Sequence, residues 1–308
     1  MIVRSLLRRR TVGEPAGRPR EAVVLSGGGS LGAAQVGALR ALLEAGIVPD
    51  LFIGCSVGAL NATAMAMDPT LARLDELEEI WRSLSSRDVF GGNRRKVATH
   101  LVRRDAHLYE PDALRALVRR AVPIRDLSET AVPCHVVTTD LRDGRSCWWS
   151  EGDPLTVLSA SACLPAVFPP VALGGSLHVD GGVTNPVPID RALDLGAVRT
   201  WVLDVTGGEI GRRDERMTAL DVLLLSFAIS RSGLDSKPAG RPGQHVARMA
   251  KLDVDRHELR DFSKTGALID LGYQAMTDLV RTELARVPQP RQGGGFVSAP
   301  RSAALASG

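Results

Sequence analysis

The stretch Pro49-Asp50-Leu51-Phe52-Ile53-Gly54-Cys55-Ser56-Val57-Gly58-Ala59-Leu60-Asn61 decides how this chain is read. A short apolar run, Leu51 to Ile53, breaks into a glycine-flanked serine and then into the alanine-rich segment Ala59 to Met67. The order predicted is strand, tight turn, helix. At such a turn the middle residue is strained, and the residues two positions to either side must lack side chains that would collide. Gly54 and Gly58 satisfy that need, so Ser56 is the candidate nucleophile, with the amide dipoles of the following helix aimed at any anion formed beside it. A glycine-rich connection capped by a serine is the plain alternative for the same residues.

Upstream, Glu21 to Ser26 has strand composition and runs into Gly27-Gly28-Gly29-Ser30-Leu31-Gly32 and the helical stretch Ala33 to Ala45. The glycines satisfy G-x-G-x-x-G, a dinucleotide-binding turn, which calls for an acid at the end of the second strand. Asp50 lies at about the right distance but precedes that strand, so this use is disfavoured. The other use is an oxyanion hole: the amides of Gly27, Gly28 and Gly29 point into one space, beside Ser56 if the two parallel strands are neighbours.

Downstream, the spacing of Leu71, Leu74, Leu77, Ile80, Trp81 and Leu84 predicts an amphipathic helix over 69–84, and a second is predicted over Thr265 to Arg286. Pro133 to Asp140 and Arg145 to Trp149 read as a hairpin around Asp143-Gly144, and a further hairpin is expected at Gly174-Gly175. Its second arm, Ser176 to Val179, ends in Asp180-Gly181-Gly182, an acid in an open position whose plain role is a turn cap. Arg199 to Val205 is another strand, Ala219 to Ile229 an apolar helix, and 236–244 a loop.

Composition bounds the rest. The 308 residues carry 38 basic and 35 acidic side chains and are 44% hydrophobic, which describes a globular α/β protein and excludes disorder as the default. Arginines in residues 1–20, and Arg94-Arg95-Lys96, Arg103-Arg104 and Arg119-Arg120 further on, can touch an anionic membrane or serve as solvated surface. No aromatic residues interleave with them as a nucleic-acid platform requires. Cys55, Cys134, Cys147 and Cys163 stand singly, without C-x-x-C pairs or neighbouring histidines, which argues against zinc and against a disulfide framework. With no signal peptide or membrane span apparent, the expected location is cytoplasmic, with peripheral membrane contact as an option.

A serine nucleophile needs a base. His245 and His257 follow Asp180 and complete the order Ser, Asp, His of an α/β-hydrolase, although neither stands in a loop shaped to present it. Taken together, the Gly27 to Gly32 loop, the Gly54 to Gly58 turn and Asp180-Gly181-Gly182 resemble the patatin-like phospholipase family. So do Thr139-Asp140-Leu141, the Ala160 to Pro170 block and Asn185-Pro186-Val187-Pro188. The resemblance covers residues 21–206, with a weaker echo at Leu268 to Tyr273.

It implies a three-layer α/β/α fold with a mostly parallel sheet, spanning 21–287 between a basic tail (1–20) and a C-terminal tail (288–308). It further implies a lipid acyl hydrolase in which Ser56 is the nucleophile and Asp180 its base, without a histidine. Gly27, Gly28 and Gly29 then form the oxyanion hole, and the substrate is a fatty acyl ester; no metal or organic cofactor is implied. Leu31 departs from the pattern, standing where many members carry Arg or Lys, and so removes a charge that would help hold an anionic head group. A binding module holding an acyl chain or nucleotide without turnover is the alternative of a different class.

Overall fold

The computed structural model describes residues 20–91, 107–206, 229, 240–249, 252 and 261–286. The readings of residues 1–19, the 94–104 basic cluster, the 219–228 helix, His257 and the tail after 287 fall outside these residues.

The chain opens with β1 (Glu21–Leu25), a glycine turn and α1 (Gly32–Glu44), then β2 (Leu51–Cys55) and α2 (Val57–Met67). Three helices follow: α3 (Leu71–Ser83), the single-turn α4 (Ser86–Phe90) and α5 (Asp112–Ala121). Next come β3 (Cys134–Asp140), β4 (Ser146–Trp149), α6 (Pro154–Ser161), β5 (Val171–Leu173), β6 (Ser176–Asp180) and α7 (Ile189–Asp194). The described chain closes with β7 (Arg199–Leu203), β8 (His245–Arg248) and α8 (Thr265–Arg286). The strands form one sheet in the order β5-β6-β3-β2-β1-β7-β8, with β4 also paired to β3. From β3 to β8 the neighbours are parallel, and β4, β5 and β6 are the antiparallel additions.

Alternation along the strands splits the core into two layers. Val23, Leu25, Phe52, Trp201 and Leu203 face one way, into the large cluster with α1, α2, α3 and α8. Ala22, Val24, Leu51, Ile53 and Val202 face the other way, onto Ile189, Ala192 and Leu193 of α7. The sheet is therefore buried on both faces, which is why its strands read as continuous apolar runs, and the architecture is the three-layer α/β/α expected. α8 docks on α1 by close backbone approach: a Cβ on Gly272 would lie 1.8 Å from the Ala34 carbonyl oxygen, and one on Gly37 1.9 Å from that of Ile269.

Both predicted hairpins form. Gly144 turns β3 into β4 with φ of 68°, and Gly174 and Gly175 turn β5 into β6 with φ of 58° and 84°. Asp50 has a structural role: its carboxylate accepts the N–H groups of Arg20 (3.0 Å) and Glu21 (3.1 Å) at the start of β1 and β2, the rim opposite both glycine turns. The 236–244 loop reading meets the structure only from residue 240 on, where a turn precedes β8.

Candidate active site

Ser56 joins β2 to α2 in a conformation that side chains rarely adopt, φ 54° and ψ −125°. The two glycines around it are required by contact. A Cβ on Gly54 would sit 2.4 Å from the Gly58 carbonyl oxygen, and one on Gly58 2.4 Å from that of Ser26. The turn is therefore wedged between its own helix and the end of β1. Ser161, at the end of α6, fixes it from the other side: its hydroxyl accepts the Ser56 N–H at 2.9 Å and donates to the Val137 carbonyl at 2.7 Å. The backbone strain is held by neighbours on both sides.

β1 and β2 pair in parallel from Ala22↔Leu51 to Leu25↔Gly54, so the glycine loop after β1 stands beside the serine turn after β2. Within that loop the three amides differ. Gly27 N–H is given to the Pro186 carbonyl at 3.1 Å, whereas the Gly28 and Gly29 N–H groups donate to no described residue. The Asn185-Pro186 segment thus crosses closely enough to take the first amide, while those of Gly28 and Gly29 are not taken by any described residue. Gly32 is a packing residue: a Cβ there would lie 2.6 Å from a methyl of Val57 and 3.0 Å from the Trp81 ring.

A buried polar relay that sequence reasoning missed ties loop to helix. Trp81 Nε1 donates to Asn61 Oδ1 (2.9 Å), and Asn61 Nδ2 donates to Gln35 Oε1 and to the Gly32 carbonyl (3.0 Å each). Gln35 Nε2 in turn donates to the Ser26 carbonyl at 2.8 Å. Gln35 and Asn61 are fully buried, and a satisfied network of this kind gives the loop one geometry relative to α2. Its signal in the sequence is faint: an asparagine inside the alanine-rich Ala59 to Met67 run and a glutamine inside apolar α1.

Asp180 reaches this place through strand topology. One edge of β3 carries β2, from Phe52↔Cys134 to Cys55↔Val137, and the other carries β4, from Val136↔Trp149 to Thr139↔Ser146. β6 pairs with Thr138 to Asp140, residues whose far edge β4 occupies, so it takes the edge that β2 leaves after Cys55. Running antiparallel, β6 ends at Thr138↔Asp180, one register step beyond Cys55↔Val137. The Asp180 carboxylate thus meets the end of β2, and its Oδ1 lies 3.9 Å from Cys55 Sγ.

Asp180 is fully buried and held from several sides. Oδ1 accepts Gly182 N–H at 2.7 Å, its N–H donates to the Cys163 carbonyl at 2.9 Å, and its carbonyl accepts Thr139 Oγ1 at 3.0 Å. The turn cap foreseen for the carboxylate is thus present, at Gly182 N–H. Gly181 is needed for close passage, since a Cβ there would lie 2.4 Å from the Val137 carbonyl oxygen. Burial, with the Asp180 charge adding to it, pushes the Cys163 thiol up to about 12.

The residue types and their order match a known family model, patatin-like phospholipase, over residues 23–193. The chain belongs to the patatin-like phospholipase family. Among its relatives, an uncharacterized NTE family protein of Mycobacterium tuberculosis is 29% identical over 203 residues, covering 63% of this chain and 51% of that one. Patatin-like phospholipase domain-containing protein 7 of Rattus norvegicus is 29% identical over 196 residues, 63% of this chain and 14% of that one. The chain thus spans about half the length of the mycobacterial relative. Among solved structures, VipD from Legionella pneumophila aligns with a TM-score of 0.44 at 12% identity, covering 87% of this chain and 67% of that one.

The histidine alternative does not assemble from the described residues. His245 sits on β8, separated from β2 by β7 and β1, and its Nε2 lies 2.5 Å from Glu283 Oε2. His178 and His135 are strand residues with partners of their own, Thr138 and Ser176 for the first and Arg191 for the second. Leu31, the family departure, is buried in the large core cluster. No helix among the described residues is long and apolar enough to cross a membrane.

Proposed function

We propose that this chain hydrolyses fatty acyl esters of lipids, with Ser56 as nucleophile and Asp180 as its base. The observation that supports the reading is the entry of β6 onto β3 where β2 stops, which brings the buried Asp180 carboxylate to 3.9 Å from Cys55 Sγ, the residue before Ser56. Family membership supports the substrate class.

In the proposed reaction the Ser56 hydroxyl attacks the ester carbonyl while Asp180 accepts its proton. The oxyanion is held by Gly28 and Gly29 N–H and by the amide end of α2, where each donor is worth roughly 2.7 to 4 kcal/mol. Collapse returns the proton from Asp180 to the leaving alcohol and leaves an acyl-enzyme. Water then attacks with Asp180 again taking the proton, and collapse returns that proton to Ser56 Oγ as the acyl–Oγ bond breaks and the fatty acid departs. Burial of Asp180 keeps bulk water from competing with its carboxylate for the Ser56 proton. Because Leu31 is buried and uncharged, the reading favours ester hydrolysis over recognition of an anionic head group. Contact with anionic membranes through the arginines of 1–20 and 94–104 belongs to the same proposal, and salt-insensitive liposome co-sedimentation would remove it.

Fluorophosphonate labelling and hydrolysis of a short p-nitrophenyl ester test the reaction. Wild type should label at Ser56 and turn over, while Ser56→Ala and Asp180→Asn should each lose about 10³-fold or more in kcat with the fold intact. Retained turnover in either variant refutes the dyad, and a chain that binds acyl chains but never labels is a binding module.

A further inference from the structure

Three strands bring a second set of reactive side chains to one face of the sheet. Asp140 on β3 pairs with His178 on β6, and Thr138, two residues earlier on β3, pairs with Cys147 on β4. Residues two apart on a strand, and residues directly opposite across a ladder, share a face, so Asp140, Cys147 and His178 converge. One donor atom from each lies within 4.8 Å of those of the other two. Asp140 and His178 are 4% and 1% exposed, while Cys147 is partly exposed.

The hydrogen bonds fix the state of the histidine. Ser176 Oγ donates its single proton to Asp140 Oδ2 at 2.8 Å, so at 2.9 Å it accepts from His178 Nε2. On the other side Trp149 Nε1 donates to Thr138 Oγ1 at 2.8 Å, and Thr138 Oγ1 lies 3.0 Å from His178 Nδ1. His178 Nε2 therefore carries a proton.

We propose that Asp140, Cys147 and His178 form a binding site for a zinc-class divalent ion, coordinated by the Asp140 carboxylate, Cys147 Sγ and His178 Nε2, with water in the fourth position. Thiolate with imidazole selects zinc-class metals over magnesium and calcium, which take oxygen ligands. Zinc bonds of about 2.3 Å to sulfur and about 2.0 to 2.1 Å to nitrogen place tetrahedral ligands roughly 3.5 Å apart, so closure asks for shifts of roughly 1 Å. On binding, the Ser176 hydroxyl swings out from between Asp140 and His178, and Arg142, 72% exposed and 3.2 Å from Asp140, moves into water. The imidazole proton transfers from Nε2 to Nδ1 and is donated to Thr138 Oγ1, which still accepts from Trp149. The histidine is then oriented by an outer hydrogen bond, as metal-bound imidazoles are. The thiol proton is released to solvent, which balances the step.

The test uses the full chain without an affinity tag and titrates Zn²⁺ and Co²⁺. Expected are one bound equivalent, a cobalt–thiolate charge-transfer band, and protection of Cys147 from iodoacetamide by Zn²⁺, the other three cysteines being buried. Cys147→Ser should abolish the band, and both it and Asp140→Asn should weaken binding about tenfold or more. Absence of the band in wild type, or Zn²⁺ binding unchanged by Cys147→Ser, overturns the proposal. If a variant fails to fold, Zn²⁺ protection of Cys147 in wild type decides alone. None of these readouts uses ester hydrolysis, so this site and the hydrolase reading stand or fall separately.

Discussion

The contact between Gly58 and the end of β1 sets how far Ser56 stands from the Gly28 and Gly29 amides proposed to hold the oxyanion, and Gly58→Ala measures it. The added methyl would lie 2.4 Å from the Ser26 carbonyl oxygen and 2.5 Å from that of Leu25, where real Cβ atoms keep at least 3.0 Å. Both obstacles are backbone, so α2 and the end of β1 must separate by at least 0.6 Å (3.0 − 2.4). Ser26 immediately precedes Gly27-Gly28-Gly29, and the separation therefore carries the amides away from Ser56. Overpacking of this kind costs about 1 to 3 kcal/mol of stability. A displacement approaching 1 Å in a catalytic constellation costs about 10²-fold in rate. We expect kcat for a short p-nitrophenyl ester to fall by roughly 30- to 100-fold with KM nearly unchanged, and fluorophosphonate labelling to slow in proportion. The control is Gly266→Ala, whose new methyl meets only the mobile end of Arg82 at 3.1 Å and should leave the rate alone. A Gly58→Ala enzyme within about threefold of wild type, equally stable, would refute the claim that this contact positions the hole.

Three further outcomes follow from the same geometry. Ser161→Ala removes the acceptor of Ser56 N–H and the donor to Val137, and should lower kcat by about 10- to 100-fold while KM holds; an unchanged kcat in steady-state assays counts against a positioning role. Asn61→Leu orphans Trp81 Nε1 and Gln35 Oε1 at roughly 1 to 3 kcal/mol each, so calorimetry should show Tm lower by roughly 10 °C. His135 is held at about 4, below its ordinary 6.5, first by burial and then by the Arg191 charge. The unfolded chain therefore takes up a proton between pH 6.5 and 4 that the native one refuses, and stability is lost as pH falls through that window, by on the order of 2 to 3 kcal/mol. Urea unfolding across it should show the slope in wild type and a flatter line in His135→Gln.

The two strand–glycine–helix units and the bounds of α8 were legible because each rests on local rules: apolar runs, glycine where backbones approach, and a 3.6-residue period. Ser56 and its flanking glycines belong to that class. Asp180 does not. Its residue type and the two glycines behind it mark a turn, but the turn reaches the end of β2 at Cys55 only because β6 claims the stretch of β3 that β2 abandons, a long-range pairing that no local rule gives. The Gly27 amide shows the reverse limit. Local sequence makes it equivalent to Gly28 and Gly29, and only the passage of Pro186 distinguishes it. Cysteine spacing is equally blind to the surroundings of Cys147, because Asp140 and His178 are set beside it by strand register across three strands rather than by intervals along one.

That register also explains why an antiparallel strand can serve a site on the carboxyl rim of a parallel sheet. Ligands and nucleophiles gather where parallel strands end, and an antiparallel strand normally delivers its amino end there. β6 escapes this by entering the sheet beyond the tip of β2, so that its own last residue, not its first, faces the serine turn. The arrangement tolerates no slip. Moving β6 by one residue would turn every one of its side chains to the opposite face, taking the Asp180 carboxylate away from Cys55 and Ser56 and the His178 imidazole away from Asp140. A single residue inserted into the Gly174-Gly175 turn leaves that register intact, because the β3–β6 pairing is made downstream of it, whereas one inserted between Val179 and Asp180 shifts the acid alone. The first insertion should therefore preserve turnover and the second abolish it, and equal activity in both would mean that the strand pairing is not what places the base.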